Sequence, residues 1–373
     1  MTKRWHYLVV LMAVQAPTSS LLADEGMWLL TKPPTNVLKS KYGFEPTPAW
    51  LEHLQKSCVR MGASGSVVSA DGLLMTNHHV GVDDLHKLST PQRDLVKDGF
   101  HARTRGEEIK CPDLEVQILW SIEDVTDRVN AAVKPEMSPA TAYEARRKVM
   151  TRIEQESKDA TGLDSEVVTL WHGARYHLYR YRRYADLRLV FAPEKSVAFF
   201  GGDNDNFDYP RFDLDCCFFR IYENDKPLKP EHYLKFSRQG AADGELLFVA
   251  GHPARTRRLL TVEHLKFLRD VEMPTILNWL WRREAQLGVF CNRSEENMRI
   301  GETDYFSIQN SRKARTGMQQ AMLDPQFMIR KEQAEAKLRA AAKSAEPWDR
   351  IAEAERTYRT FFNRRNTLRE YHP

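Results

Sequence analysis

Two regimes of apolar patterning meet near residue 260. Before it, apolar residues fall in short runs suited to strands. After it, good helix formers dominate and strand residues thin out. In the first regime Leu114-Glu115-Val116-Gln117-Ile118-Leu119-Trp120 alternates with period two, which predicts a half-buried strand within Asp113 to Val125. Ser66 to Ser69 and Leu73 to Met75 predict two short strands. Ala70-Asp71-Gly72 supplies the turn between them, with Gly72 free to take positive φ. Val167 to Tyr184 predicts a strand pair, and Leu187 to Ala192, Asp215 to Tyr222 and Glu245 to Ala250 predict further strands. Thr31 to Thr35 is a Pro-containing connector. Pro48 to Lys56 reads as a helix capped by Thr47, with Pro48 in its first turn, and Ser138 to Ala160 as a second helix. Gly81 to Glu108 is mixed and polar, a loop with one short helix. Beyond residue 260, Val262 to Val271, Pro274 to Leu287, Ser307 to Met322 and Pro325 to Arg369 are all helical in character. The expected organisation is therefore a β-rich part over 24–260 and a helical part over 261–373.

Composition narrows the function classes. The chain has 373 residues, long enough for two domains with an ample core. A formal charge of +4 is too weak to argue for a nucleic-acid partner. One stretch bears on that: Trp171, Tyr176, Tyr179, Tyr181 and Tyr184 interleave with Arg175, Arg180, Arg182 and Arg183. Such a pattern can stack bases, but a strand pair with one wet face accounts for it without them. Residues 1–23 have the pattern of a secretory signal peptide: Lys3 and Arg4, an apolar stretch from Leu8 to Ala16, then small residues up to Ala23. The alternative is a buried N-terminal helix. The apolar run is too short to span a bilayer, so no membrane anchor is expected. The five cysteines, Cys58, Cys111, Cys216, Cys217 and Cys291, are odd in number, which leaves at least one thiol without an intramolecular partner. Cys216-Cys217 reads as packing within a strand.

The candidate chemistry begins at His78-His79, directly after the Leu73 to Met75 strand. A histidine at the end of a buried strand can hold its imidazole still for general-base work. An adjacent pair is also compatible with a surface position or a satisfied core. No third ligand stands at a recognisable metal spacing. Asp203, Asp205 and Asp208 could suggest a calcium loop, but the glycine and distant glutamate of an EF-hand are missing.

Three strings then act together. Ser64 to His79, in the pattern G-S-x-V-S-x-D-G-L-x-x-T-N-H-H, resembles the catalytic-histidine segment of bacterial dipeptidyl aminopeptidases of the dipeptidyl-peptidase 7 and 11 type. Phe199-Phe200-Gly201-Gly202-Asp203-Asn204-Asp205-Asn206-Phe207-Asp208-Tyr209-Pro210-Arg211 is similar to a second signature of that family. Gly251-His252-Pro253-Ala254-Arg255-Thr256-Arg257-Arg258-Leu259 is similar to a third. The resemblance runs from about Asp24 to the last residue. It implies a periplasmic or secreted serine exopeptidase with a mixed β and α fold: the first of two chymotrypsin-like β-barrels, followed by the start of an α-helical insertion. His79 aligns with the family's catalytic histidine and Asp215 with its orienting acid. The resemblance assigns Asn206-Phe207 to gripping the free α-amino group of an oligopeptide, through an amide oxygen and an aromatic wall. Phe207 stands where the family usually has Trp, which keeps the wall and loses the indole N–H. No cofactor or metal is implied, and a homodimer is allowed.

The departure from the family is the nucleophile. Relatives place the serine in a downstream loop of the second barrel, so it is expected to be absent from this chain, which ends inside what resembles the helical insertion. Gly62-Ala63-Ser64-Gly65 fits G-x-S-G, but it leads into His79 with no following helix to form a nucleophile elbow. The alternatives to a dipeptidyl aminopeptidase are a non-catalytic peptide-binding remnant and a scaffold that keeps only the fold.

Overall fold

The computed structural model describes residues 26–253, Arg257 and residues 260–370. The signal segment expected over residues 1–23 lies outside the described residues, as does most of 254–259 in the third family string. The strands are β1 (Cys58–Arg60), β2 (Ser64–Val67), β3 (Leu73–Thr76), β4 (Phe100–His101), β5 (Ile109–Cys111), β6 (Val116–Asp124), β7 (Asp164–Leu170), β8 (Arg175–Tyr184), β9 (Asp186–Ala192), β10 (Cys217–Glu223) and β11 (Lys226–Pro227). Among them lie helices α1 (Thr35–Tyr42), α2 (Pro48–Ser57), α3 (His78–Leu88), α4 (Leu95–Asp98), α5 (Thr126–Asn130) and α6 (Pro139–Thr161). After residue 260 the described elements are helical: α7 (Val262–Phe267), a wider π turn over Leu268–Glu272, α8 (Met273–Cys291), α9 (Glu295–Leu323), α10 (Pro325–Ala341) and α11 (Glu346–Glu370).

The strands form one large antiparallel sheet in the order β4-β9-β10-β3-β2-β1-β6-β8-β7, with β11 on β10 and β5 on β9. Among the described residues no ladder joins β9 to β6, so the hydrogen-bonded path stays open. Its two arms nevertheless share one core. Ile118 of β6 and Leu187 and Leu189 of β9 are buried in the same cluster as Val59, Val67, Leu74, Phe219 and Ile221. Leu85 of α3 and Leu95 of α4 close this core. A smaller cluster, with Val129, Ile153, Val167 and Leu178, seats α5 and α6 on β7 and β8. Val262, Leu265, Leu268, Met273, Met322 and Met328 make a third core among the helices.

Local chemistry explains most boundaries. The Thr47 hydroxyl accepts from Trp50 N and caps α2, while Ser138 does the same for α6 from Thr141 N. Gly162 ends α6 at φ 69°. Several expectations need correction. Glu245 to Ala250 is not a strand: it pairs with no ladder, and Leu247 and Val249 are exposed. Its Phe248 instead packs on Phe44 and Trp50, at ring separations of 5.2 and 5.0 Å. The helix expected from Ser307 starts earlier, capped by the Ser294 hydroxyl. The helical stretch expected over Pro325 to Arg369 is divided into two helices. Ala342 is extended after α10, and Pro347 can sit only in the first turn of the helix that follows. The stretch after His79 carries α3 and α4 rather than one short helix. Cys216 lies just ahead of β10 and is half-buried, whereas Cys217 is buried within the strand.

Candidate active site

The register of two neighbouring strands builds the centre of the site. β3 and β10 are antiparallel with Thr76 opposite Cys217, so the residues after Thr76 run alongside those before Cys217. Asn77 is the N-cap of α3, and His78 and His79 occupy its first turn. This differs from the strand end expected from the sequence. Successive helical residues diverge by roughly 100°. His78 therefore turns inward and is 2% exposed, while the His79 side chain stays 36% exposed. Burial pushes the His78 pKa below the ordinary imidazole value, and its Nε2 has no hydrogen-bond partner among the described residues.

His79 meets Asp215 twice. Its Nδ1 lies 2.7 Å from Asp215 Oδ2, and its backbone N–H donates to Oδ1 at 3.0 Å. Asn77 Nδ2 adds a bond of 3.0 Å to Oδ2. Burial alone would raise the Asp215 pKa. The hydrogen bonds from the His79 ring and backbone, the charge of His79 and the Asn77 amide outweigh it and hold the carboxyl below its ordinary value. With an ionised carboxylate on Nδ1, the neutral ring keeps its proton there and presents Nε2 as the base.

One face of the His79 ring is covered by Phe200, with centroids 4.0 Å apart and planes 13° from parallel. The loop that carries Phe200 leans on α9. Phe199 meets Phe306 edge-on at 4.7 Å. Gly201 follows at φ 106°, and a Cβ there would stand 2.7 Å from the Phe306 carbonyl oxygen. Arg211 sits 5.6 Å from the Phe200 centroid and between two acids, 2.9 Å from Asp203 and 2.6 Å from Asp213. These are close ion pairs without hydrogen-bond alignment, because Arg211 Nη2 and both Asp213 oxygens lack aligned partners among the described residues.

Asn206 is 1% exposed, and its Nδ2 donates to Asn310 Oδ1 of α9 at 2.8 Å. The amide nitrogen is thus engaged, and the amide oxygen is the atom suited to accept from an ammonium group. Phe207 beside it takes φ 66° and is 61% exposed. Lys313 of α9 donates to Asn204 O and Asp208 Oδ2, which ties the same loop to the helix a second time. Asp203, Asp205 and Asp208 are each engaged within the loop or with α9, and no metal-binding group of three or more ligating side chains exists among the described residues.

Ser64 is brought elsewhere: its hydroxyl accepts from His252 N at 2.7 Å. Among the described residues, the hydrogen bond of the His79 ring runs to Asp215. Sequence reasoning missed Asn77 as a clamp on Asp215 and Phe200 as the cover of His79. Both stand inside the quoted strings, yet neither residue type announces such a contact.

Comparison with known proteins gives a consistent picture. Residues 23–372 match the family model described as Peptidase S46. The chain is 34% identical over 263 residues to dipeptidyl-peptidase 7 of Porphyromonas endodontalis, covering 65% of this chain and 32% of the relative. It is 30% identical over 353 residues to dipeptidyl-peptidase 7 of Phocaeicola vulgatus, covering 86% of this chain and 48% of the relative. The crystal structure of Porphyromonas endodontalis DPP11 in complex with dipeptide Arg-Asp superposes with a TM-score of 0.76 at 24% identity, over 92% of this chain and 54% of that one. At that identity the superposition speaks for the fold alone. The chain spans about half the length, or less, of the curated relatives it matches.

Proposed function

The chain belongs to the peptidase S46 family, and from that premise we propose that it carries the general base and orienting acid of a serine dipeptidyl aminopeptidase. The observation that carries the reading is the two-point contact of His79 with Asp215, at 2.7 and 3.0 Å. In the proposed reaction His79 Nε2 takes the proton of an attacking seryl hydroxyl. Asp215 stabilises the imidazolium that forms, and His79 then returns the proton to the leaving amine. Ser64 is not that serine, since its oxygen is held by His252 N.

The substrate class is an oligopeptide with a free N-terminus, shortened by two residues at a time. Names of relatives support this: dipeptidyl-peptidase 7 in two species. In this chain the α-ammonium group is received by the Asn206 amide oxygen with Phe207 as a wall. Because Asn206 is 1% exposed, the ammonium reaches it only by displacing what covers it.

The β-rich part over 24–260 is read as the first of two chymotrypsin-like barrels and the part from 261 as a helical cap. Support comes from the one core that β6 and β9 share although no ladder joins them, and from the order of histidine before aspartate. The leader pattern over residues 1–23 supports export to the periplasm or beyond.

The test is release of a fluorogenic amine from dipeptidyl substrates with a free or an acetylated N-terminus, by the wild-type protein and by His79→Ala. Release from the free form only, abolished by His79→Ala, supports the reading. Retained release in His79→Ala overturns it. A second reading is peptide binding without turnover, for which the Asn206 loop held on α9 would suffice. Calorimetric binding of free but not acetylated peptide, with no release, would select it.

A further inference from the structure

An imidazole that must accept and return a proton needs its plane held as well as its azimuth. Asp215 fixes the direction of Nδ1, but a single in-plane hydrogen bond leaves the ring free to rock about it. In this chain the second restraint is aromatic. Phe200 lies flat against His79 at 4.0 Å and 13°, and the backbone around it is built for that contact. Phe199 is anchored on Phe306 of α9 at 4.7 Å. Gly201 bends away at φ 106°, so close to the Phe306 carbonyl that no side chain fits. Neighbouring phenylalanines thus serve different partners: Phe199 grips the helix and Phe200 covers the histidine.

We propose that Phe200 is a positioning residue for His79, holding the imidazole plane against its own ring face. The inference rests on the reading of His79 as the base. The π face of an aromatic ring attracts a cation lying over it, so an imidazolium gains where a neutral imidazole does not. The contact therefore strengthens as the proton arrives, which is when the reaction requires it. Charged groups around the ring are Asp215 on Nδ1, His78 beside it, Lys195 next to His78, and Arg211 next to Phe200. Phe200→Leu removes none of them. It keeps an apolar cover over the ring and deletes only the π face.

The experiment is an NMR study of the His79 ring in this chain, which needs no catalysis. In the wild-type protein its carbon-bound protons are expected upfield of ordinary imidazole positions, from the Phe200 ring current. In Phe200→Leu the upfield shift disappears and the ring order parameter falls, because the ring can then rock about its bond to Asp215. Phe200→Tyr keeps both wild-type values. Ordinary proton positions in the wild-type protein overturn the proposal without recourse to a variant. So does an unchanged order parameter in folded Phe200→Leu, because a merely space-filling ring would give that result. Peptide turnover is measured on the same samples. If the ring behaves as expected and no peptide is cleaved, the proposed function fails while the role of Phe200 in placing the ring stands.

Discussion

His79 and Asp215 are joined by two bonds from different parts of one residue, the ring Nδ1 at 2.7 Å and the backbone N–H at 3.0 Å. The carboxylate therefore sits on the first turn of α3, where backbone N–H groups point outward and favour negative charge. One acid caps a helix and orients a base at once. The β3–β10 register, Thr76 opposite Cys217, is what delivers it there.

Replacing Asp215 with Asn keeps the shape of the side chain and removes its charge. The amide can present its NH₂ to Nδ1 and hold the ring in the wrong tautomer. In a preparation that releases dipeptides, kcat is expected to fall about 10⁴-fold, the size of the same change in the well-studied serine-protease triad, with KM little altered. Steady-state kinetics check it. A loss below about tenfold would mean that Asp215 only caps the helix.

Acid should weaken the fold in two stages. His78, His177 and His252 are each pushed by burial below the ordinary imidazole value of 6.5. As pH falls below that value the unfolded chain takes protons that the folded chain refuses, so stability declines. Asp215 behaves as a carboxylate with a lowered pKa. Its contribution is intact above the unfolded value of about 3.9 and is lost as pH falls through the folded one. Guanidinium unfolding should therefore show a lower midpoint at about pH 5.5 than at about pH 7.5. Equal midpoints would show that these imidazoles titrate alike in both states.

The sequence made the strand–turn–strand before His79 legible, because two apolar runs flank Asp71-Gly72. It hid the helix that follows. Gly81 reads as a breaker, yet it sits inside α3 for a packing reason. A Cβ there would meet Cys217 Sγ at 3.0 Å and Phe219 Cζ at 3.1 Å. That requirement comes from β10, far along the chain, and no local window contains it. Phe200 was hidden in the same way, since its partner lies in α3. Glu245 to Ala250 misled in the opposite direction, because apolar content predicts burial but cannot supply a ladder to join.

Gly201→Ala tests the loop that carries Phe200. The native φ of 106° and the 2.7 Å approach to Phe306 O leave no room for a methyl group. The cost is expected to be about 1–3 kcal/mol, seen as a fall of several degrees in the melting temperature. An unchanged melt would show that the loop moves off α9 at little cost.

Ser64→Ala separates an architectural serine from a nucleophile. The variant removes the acceptor of His252 N, a bond of 2.7 Å, and is expected to cost about 1 kcal/mol of stability. Dipeptide release should stay within about twofold of wild type, because the Ser64 hydroxyl is bonded to His252 N and not to His79 or Asp215 among the described residues. A fall of about 10³-fold or more, the scale of a lost nucleophile, would return Ser64 to the reaction.

All five cysteines are free thiols, and burial sets the order in which they should react. Desolvation pushes Cys58 up to about 11 and Cys111 up to about 12, and raises Cys217 still further. Cys291 is buried as well, so a reagent reaches it only when the fold opens. Cys216 is half-buried, and although burial raises its pKa too, it is the thiol nearest to solvent. Because the thiolate is the attacking form, an aromatic disulfide reagent at about pH 8 should modify Cys216 first and the other four only at the rate of unfolding. In denaturant all five should react quickly. Rapid reaction of Cys111 or Cys217 in the native protein would mean that the core between α3 and β10, on which the Asp215–His79 contact depends, opens far more often than its packing implies.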